Sequence, residues 1–165
     1  MSGTRSKTLP DWILYPTGGG TGIIGMHKAF AELRALGLLG DHQPRFAVVQ
    51  TAGCAPIVRA FEQGQETAEP WPNPQQTAAW GLRVPRALGD FLILRVLRES
   101  AGTAVAVAEE AMLQAMERVA RREGLLVSPE GAACLVALEQ LAAQGHVRPG
   151  QRVVLFQTGD AANYG

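Results

Sequence analysis

Twelve residues near the N-terminus, Tyr15-Pro16-Thr17-Gly18-Gly19-Gly20-Thr21-Gly22-Ile23-Ile24-Gly25-Met26, restrict the fold more than any other stretch. An apolar run, Trp12 to Tyr15, leads in. Apolar residues at Ile23, Ile24, Met26, Ala29, Phe30, Leu33 and Leu36 lead out. That second spacing makes one helical stripe, which Gly37 and Gly40 terminate. The layout is strand, glycine-rich turn, helix. The first N–H groups of a helix lack internal partners, and the helix dipole adds partial positive charge there. Glycines remove the Cβ atoms that would keep an anion away, and they permit positive φ. Four glycines in the five positions Gly18 to Gly22 argue against a plain connection, because each costs chain entropy. The stretch predicts a phosphate cradle.

The rest of the chain repeats the alternation. Arg45 to Thr51 is a short β-rich run with little polar alternation, as in a strand covered on both faces. Cys54 to Phe61 reads as a short helix with Pro56 in its first turn. Gln65 to Gln76, with three prolines, reads as a surface excursion. Leu88 to Ser100 follows as a helix with Leu88, Phe91, Leu92, Leu94 and Leu97 as its apolar residues. Thr103 to Val107 is a strand, and Glu109 to Glu123 a helix with Met112, Met116 and Val119 inward. Glu117 and Arg121 form an exposed i,i+4 pair on it. Leu125 to Val127 is expected as a further short strand. Ser128-Pro129-Glu130 opens the next helix with a cap and a first-turn proline, and Arg152 to Gln157 is the last strand. Helices alternating with short apolar strands predict an α/β class, a three-layer sandwich with a mainly parallel, twisted sheet. Residues 1–10 are expected as a flexible lead-in and residues 11–165 as one α/β domain. Ligands of such sheets bind beyond the carboxyl ends of the strands. The glycine loop, Gln50-Thr51-Ala52-Gly53, Pro129-Glu130-Gly131 and Thr158-Gly159 all fall at such ends.

Charge excludes some partners. Fifteen basic and fifteen acidic residues balance, so there is no electrostatic footprint for nucleic acid or an acidic membrane. No apolar run reaches the roughly 20 residues of a membrane span, and the polar N-terminus lacks a signal-peptide core. A cytoplasmic protein is expected. Cys54 and Cys134 stand far apart, without the spacing of a metal site, and read as small buried hydrophobes.

The owner of the phosphate is narrowed by what is missing. Gly20-Thr21-Gly22-Ile23-Ile24-Gly25 satisfies G-x-G-x-x-G, so a dinucleotide is the rival ligand. That fold also wants an acidic residue at the end of the second strand for the ribose, where this chain has Gln50-Thr51. A P-loop needs Lys-Ser or Lys-Thr after the glycines, and neither is present.

Tyr15 to Phe30 resembles the phosphate loop of the fold-type II pyridoxal-phosphate enzymes, most closely their threonine synthase branch. Collinear segments extend the resemblance: Gln50 to Val58, Gly81 to Pro85 with Gly89 to Leu94, Ser128 to Ala133, and Val153 to Gly159. It runs from about Asp11 to Gly165 and corresponds to the C-terminal portion of such an enzyme. The resemblance implies pyridoxal 5'-phosphate as cofactor, held by backbone N–H groups of Gly18, Gly19, Gly20 and Gly22. Hydroxyl donors would come from Thr17 and Thr21. It also implies that Thr158 offers its hydroxyl to the pyridine nitrogen. A neutral hydroxyl leaves that nitrogen largely unprotonated. Glu130 has two readings, a first-turn carboxylate favoured by the helix dipole or a group near the cofactor ring. Asp160 departs from the family, which has a small or neutral residue after Thr-Gly; its carboxylate either affects the ring or faces solvent.

The family anchors its cofactor through a Schiff-base lysine in a Ser-Phe-Lys-like motif upstream of the glycine loop. The sequence has two lysines, Lys7 and Lys28, and neither matches that motif. The implied parent reaction converts O-phosphohomoserine and water to threonine and phosphate, with serine/threonine dehydration as the alternative chemistry. The chain itself is expected to be inactive alone and to partner a missing N-terminal half or a second copy. A dinucleotide-binding module and a non-catalytic interaction partner are the remaining alternatives.

Overall fold

The computed structural model describes residues 9–160. The expected lead-in over residues 1–10 lies mostly outside them. The elements in chain order are β1 (Trp12–Pro16), α1 (Thr21–Ala35), β2 (Arg45–Thr51), α2 (Pro56–Glu62), a 3₁₀ turn (Trp80–Leu82), α3 (Asp90–Glu99), β3 (Thr103–Val107), α4 (Glu109–Glu123), α5 (Pro129–Ala143) and β4 (Val153–Leu155). The four strands form one sheet in the order β3-β2-β1-β4, and each pairing is parallel. β1 is central: Trp12 to Pro16 align with Arg45 to Val49 on one side, and Trp12 to Leu14 with Val153 to Leu155 on the other.

Successive strand residues point to opposite faces, and both faces are covered. Trp12, Leu14, Ala47, Val49, Val105 and Val107 pack with Met112 and Ala115 of α4 and Ala133, Ala137 and Leu141 of α5. Ile13, Phe46 and Val48 pack with Ile23 of α1, Ile57 of α2 and Ile93, Leu94 and Leu97 of α3. The result is the expected three-layer α/β sandwich. Among the described residues, no helix is long and apolar enough to cross a membrane.

Two sequence expectations are corrected. Leu125 to Val127 is not a strand: Leu125 and Leu126 are exposed, and Val127 makes a single isolated bridge to Asp160. Gly124, at φ 67°, ends α4, and Ser128 caps α5 four residues later. Both helices lie on the same face of the sheet, so their connection does not need to pass through it. The third helix starts at Asp90, not Leu88. Leu88 precedes it, almost fully exposed, and Phe91 faces outward, while Ile93, Leu94, Val96 and Leu97 are the buried face. Asp90 is the first helical residue, after Gly89 as N-cap. Its carboxylate accepts from the Ala68 N–H at 2.6 Å and the Phe91 N–H at 2.8 Å.

The cap on α5 forms as its sequence predicts: Ser128 Oγ accepts from the Gly131 N–H at 3.3 Å, with Pro129 in the first turn. Ser128→Ala is expected to lower stability by about 1 kcal/mol, read as a shifted urea midpoint at unchanged m. Glu117 and Arg121 also form their expected pair.

Candidate functional site

The glycine loop is held from behind by β2. The Thr17 N–H donates to the Val49 carbonyl at 2.8 Å, continuing the ladder one residue past β1. Thr17 is fully buried, and its hydroxyl donates to the Tyr15 carbonyl at 2.8 Å. The Thr17 hydroxyl is thus engaged inside the loop. Buried Gln50 completes the support. Its Nε2 donates to the Thr17 carbonyl at 3.2 Å, while its Oε1 accepts from Ile57 and Val58 N–H at 2.9 and 3.2 Å. One amide thus ties the loop to the start of α2. Its sequence signal was an amide side chain directly after the apolar run Phe46 to Val49, since a buried amide requires partners on both ends.

Beyond Thr17 the backbone donors are open. Among the described residues, no carbonyl takes a hydrogen bond from the N–H groups of Gly18 through Ile23, and α1 has no side-chain cap. Gly20, the N-cap, sits at φ 79°, a left-handed conformation that glycine adopts without strain. The loop is tightly walled. A Cβ on Gly18 would lie 2.2 Å from the Gly81 carbonyl oxygen, and one on Gly22 would lie 2.0 Å from the Tyr15 hydroxyl oxygen. Around Gly19 a Cβ would meet nothing within 4 Å, and both Gly19 and Thr21 are exposed. The opening is therefore on the Gly19–Thr21 side.

Two other junctions approach this loop. The turn containing Gly81 is tied to α5, because Glu130 Oε1 accepts from the Gly81 N–H at 3.0 Å. Glu130 is buried, and its Oε2 has no partner among the described residues. Sequence reasoning missed Gly81 as the link between Gly18 and Glu130; the contact spans 49 positions and has no local pattern. The end of β4 also arrives here. Phe156 donates its N–H to the Leu14 carbonyl at 3.1 Å, and its ring lies 5.0 Å from that of Tyr15. Thr158, two residues further, is exposed, and no contact between it and the glycine loop is recorded among the described residues. Gln157 Nε2 donates to the Gly159 carbonyl at 2.5 Å, which folds the segment back on itself.

The remaining candidates are peripheral. Lys28 lies on an exposed part of α1 and pairs with Glu32 one turn later. Lys7 lies outside the described residues. Asp160 is exposed and bridges to Val127. Both cysteines are free and buried. Burial pushes the Cys54 thiol up, against a smaller opposing effect of the Arg83 guanidinium, and pushes the Cys134 thiol up much further.

Unpaired N–H donors at a helix N-terminus, those of Gly18, Gly19, Gly20 and Gly22 carrying no side chain, fit a small phosphate monoester. Residues 4–159 match the family described as pyridoxal-phosphate dependent enzyme. The chain belongs to this pyridoxal-phosphate family. The family's cofactor is thus the one that the glycine loop and the collinear junctions imply. The chain is 34% identical over 151 residues to threonine synthase of Methanosarcina acetivorans, covering 92% of this chain and 37% of that protein. It is 30% identical over 151 residues to threonine synthase of Methanocaldococcus jannaschii, again covering 92% and 37%. It therefore spans well under half the length of these curated relatives. The structure of Escherichia coli threonine synthase is similar with a TM-score of 0.68 at 19% identity, covering 94% of this chain and 34% of that one. A threonine deaminase structure from T.th. has a TM-score of 0.67 at 25% identity, covering 93% and 52%. The fold is that of the fold-type II pyridoxal-phosphate enzymes.

Proposed function

We propose that this chain is the phosphate-holding portion of a threonine synthase-like pyridoxal-phosphate enzyme, whose complete form converts O-phosphohomoserine and water to threonine and phosphate. The observation that carries the reading is the row of unpartnered N–H groups from Gly18 to Ile23. The backbone of Gly18, Gly19, Gly20, Thr21 and Gly22 binds the cofactor phosphate, each charge-assisted bond contributing roughly 1.5–3 kcal/mol. The exposed Thr21 hydroxyl adds a donor at the mouth. Thr17 and Gln50 hold the loop rigid from behind. Thr158, at the same carboxyl end of the sheet, binds the pyridine nitrogen with a neutral hydroxyl. Pyridoxal phosphate, when bound, supplies an electron sink for a substrate carbanion.

No residue of this sequence takes the role of the anchoring lysine, because Lys28 faces solvent from α1 and Lys7 lacks the motif. The residues here therefore hold the cofactor phosphate, in the cytoplasm, and turnover needs a lysine in the matching motif from outside them. The likeness to threonine deaminase at 25% identity supports a second reading, a serine/threonine dehydratase. Adding a lysine-bearing N-terminal polypeptide separates the two by phosphate release from O-phosphohomoserine against ammonia release from threonine.

The binding claim has its own test. Pyridoxal phosphate is expected to bind saturably, with inorganic phosphate competing and NAD leaving the protein unaffected. Saturable NAD binding at the same loop would restore the dinucleotide reading. Stoichiometric borohydride labelling of Lys28 with threonine formation would show that the chain carries its own anchor.

A further inference from the structure

Glu130 occupies the second position of α5, with 3% of its surface exposed. A carboxylate there would ordinarily serve its own helix end. Here Ser128 already caps α5, and Glu130 makes its hydrogen bond elsewhere, to the Gly81 N–H at 3.0 Å. The other oxygen, Oε2, is buried without a partner among the described residues. A buried, half-satisfied carboxylate is unfavourable, so its retention needs a reason outside the helix. Gly81 supplies one. Its N–H is held by Glu130, and its carbonyl oxygen presses on the glycine loop, only 2.2 Å from where a Cβ of Gly18 would be. The same segment is held at its other end by a second first-turn carboxylate. Glu109 Oε2 accepts from the Thr77 hydroxyl at 2.6 Å, and Oε1 from the Ala78 N–H at 2.7 Å. Gly81 sits inside the 3₁₀ turn Trp80–Leu82, whose Leu82 is buried in the core beside it.

We propose that Glu130 is a positioning residue for the anion cradle: through Gly81 it fixes the wall that bears on Gly18, and so sets the direction of the loop's open N–H groups. The proposal rests on the reading of the loop as a phosphate site. Two consequences follow from the geometry. The role needs an acceptor at Oε1 and no charge, so glutamine serves it. It also needs reach, so a side chain one methylene shorter does not.

The test compares wild type with Glu130→Gln, Glu130→Ala and Glu130→Asp, and with Val105→Ala as a core control on the distant edge strand β3. Amide exchange and ¹H–¹⁵N shifts are measured without ligand, and inorganic phosphate is then titrated. Glu130→Ala, or Glu130→Asp where alanine does not fold, is expected to speed exchange at Gly81 and shift the Gly18 to Gly20 amides. It should also weaken phosphate about tenfold or more, the equivalent of one lost charge-assisted bond. Glu130→Gln restores all three readouts. Val105→Ala lowers the urea midpoint and leaves phosphate binding unchanged. The proposal is overturned by unmoved Gly18 to Gly20 amides in the alanine or aspartate variant. It is equally overturned if glutamine weakens phosphate as alanine does, or if Val105→Ala does so. Absence of phosphate binding by wild type would refute the functional reading alone, since the ligand-free amide shifts still decide the positioning role.

Discussion

Gly18→Ala is expected to disrupt the loop and abolish phosphate binding, with a stability loss of about 3 kcal/mol or more. The added methyl would lie 2.2 Å from the Gly81 carbonyl oxygen and 2.8 Å from Val84 Cγ2. The nearer atom belongs to backbone and cannot rotate away. Relief requires either the 3₁₀ turn to lift from the loop, breaking the Gly81–Glu130 bond, or the loop to leave the Val49 ladder. Gly19→Ala is the internal comparison, because its Cβ meets nothing within 4 Å. It should change stability by no more than about 0.5 kcal/mol. Urea melts of the two variants, with phosphate titrations beside them, give the result. Equal behaviour of the two alanines would show that the wall on Gly18 is not where the structure has it.

Phe46→Ala should cost about 3–5 kcal/mol. Phe46 is fully buried at the centre of the cluster on the α1–α3 face. Its ring stacks on Phe30 and meets His27 edge-on, each at 6.2 Å between centroids. Truncation leaves a cavity that the parallel sheet on one side and two helices on the other cannot collapse into. Domains of this size have roughly 5–15 kcal/mol in total, so thermal melting should show a large loss. The glycine loop lies at the opposite end of β1 from Phe46's partner Ile13, and its hydrogen bonds run to Val49 and Gln50 rather than to Phe46. At temperatures where the variant is folded, its phosphate affinity should match wild type. That outcome separates the stability of the sheet from the geometry of the site.

Most of the layer architecture was legible because it rests on short-range pattern. β1, the glycine loop and α1 follow from one continuous stretch, and the β2 run is apolar enough to require cover on both faces. The false strand at Leu125 to Val127 shows the limit of that reasoning. Three apolar residues look alike whether they enter a sheet or merely link two helices on the same face. Leu88 misled in the same way, since periodicity alone does not place the helix start at Asp90, after Gly89. At the site, the glycines were legible from local backbone chemistry. The commitment of Thr17 to Tyr15 was not, because a threonine beside a glycine loop looks the same whether its hydroxyl faces in or out. The Gly18–Gly81–Glu130 relay was hidden for another reason: its members are joined only by tertiary packing.

The central claim is that the open N–H groups of Gly18 to Ile23 hold a cofactor phosphate. Its most direct test is a ¹H–¹⁵N titration of the chain with pyridoxal phosphate. The account predicts saturable shifts concentrated on the Gly18 to Ile23 amides, extending to Gly81 and reversed by excess inorganic phosphate. Shifts centred instead on the groove lined by Arg118, Arg122 and Leu125, with the Gly18 to Ile23 amides unmoved, would contradict it.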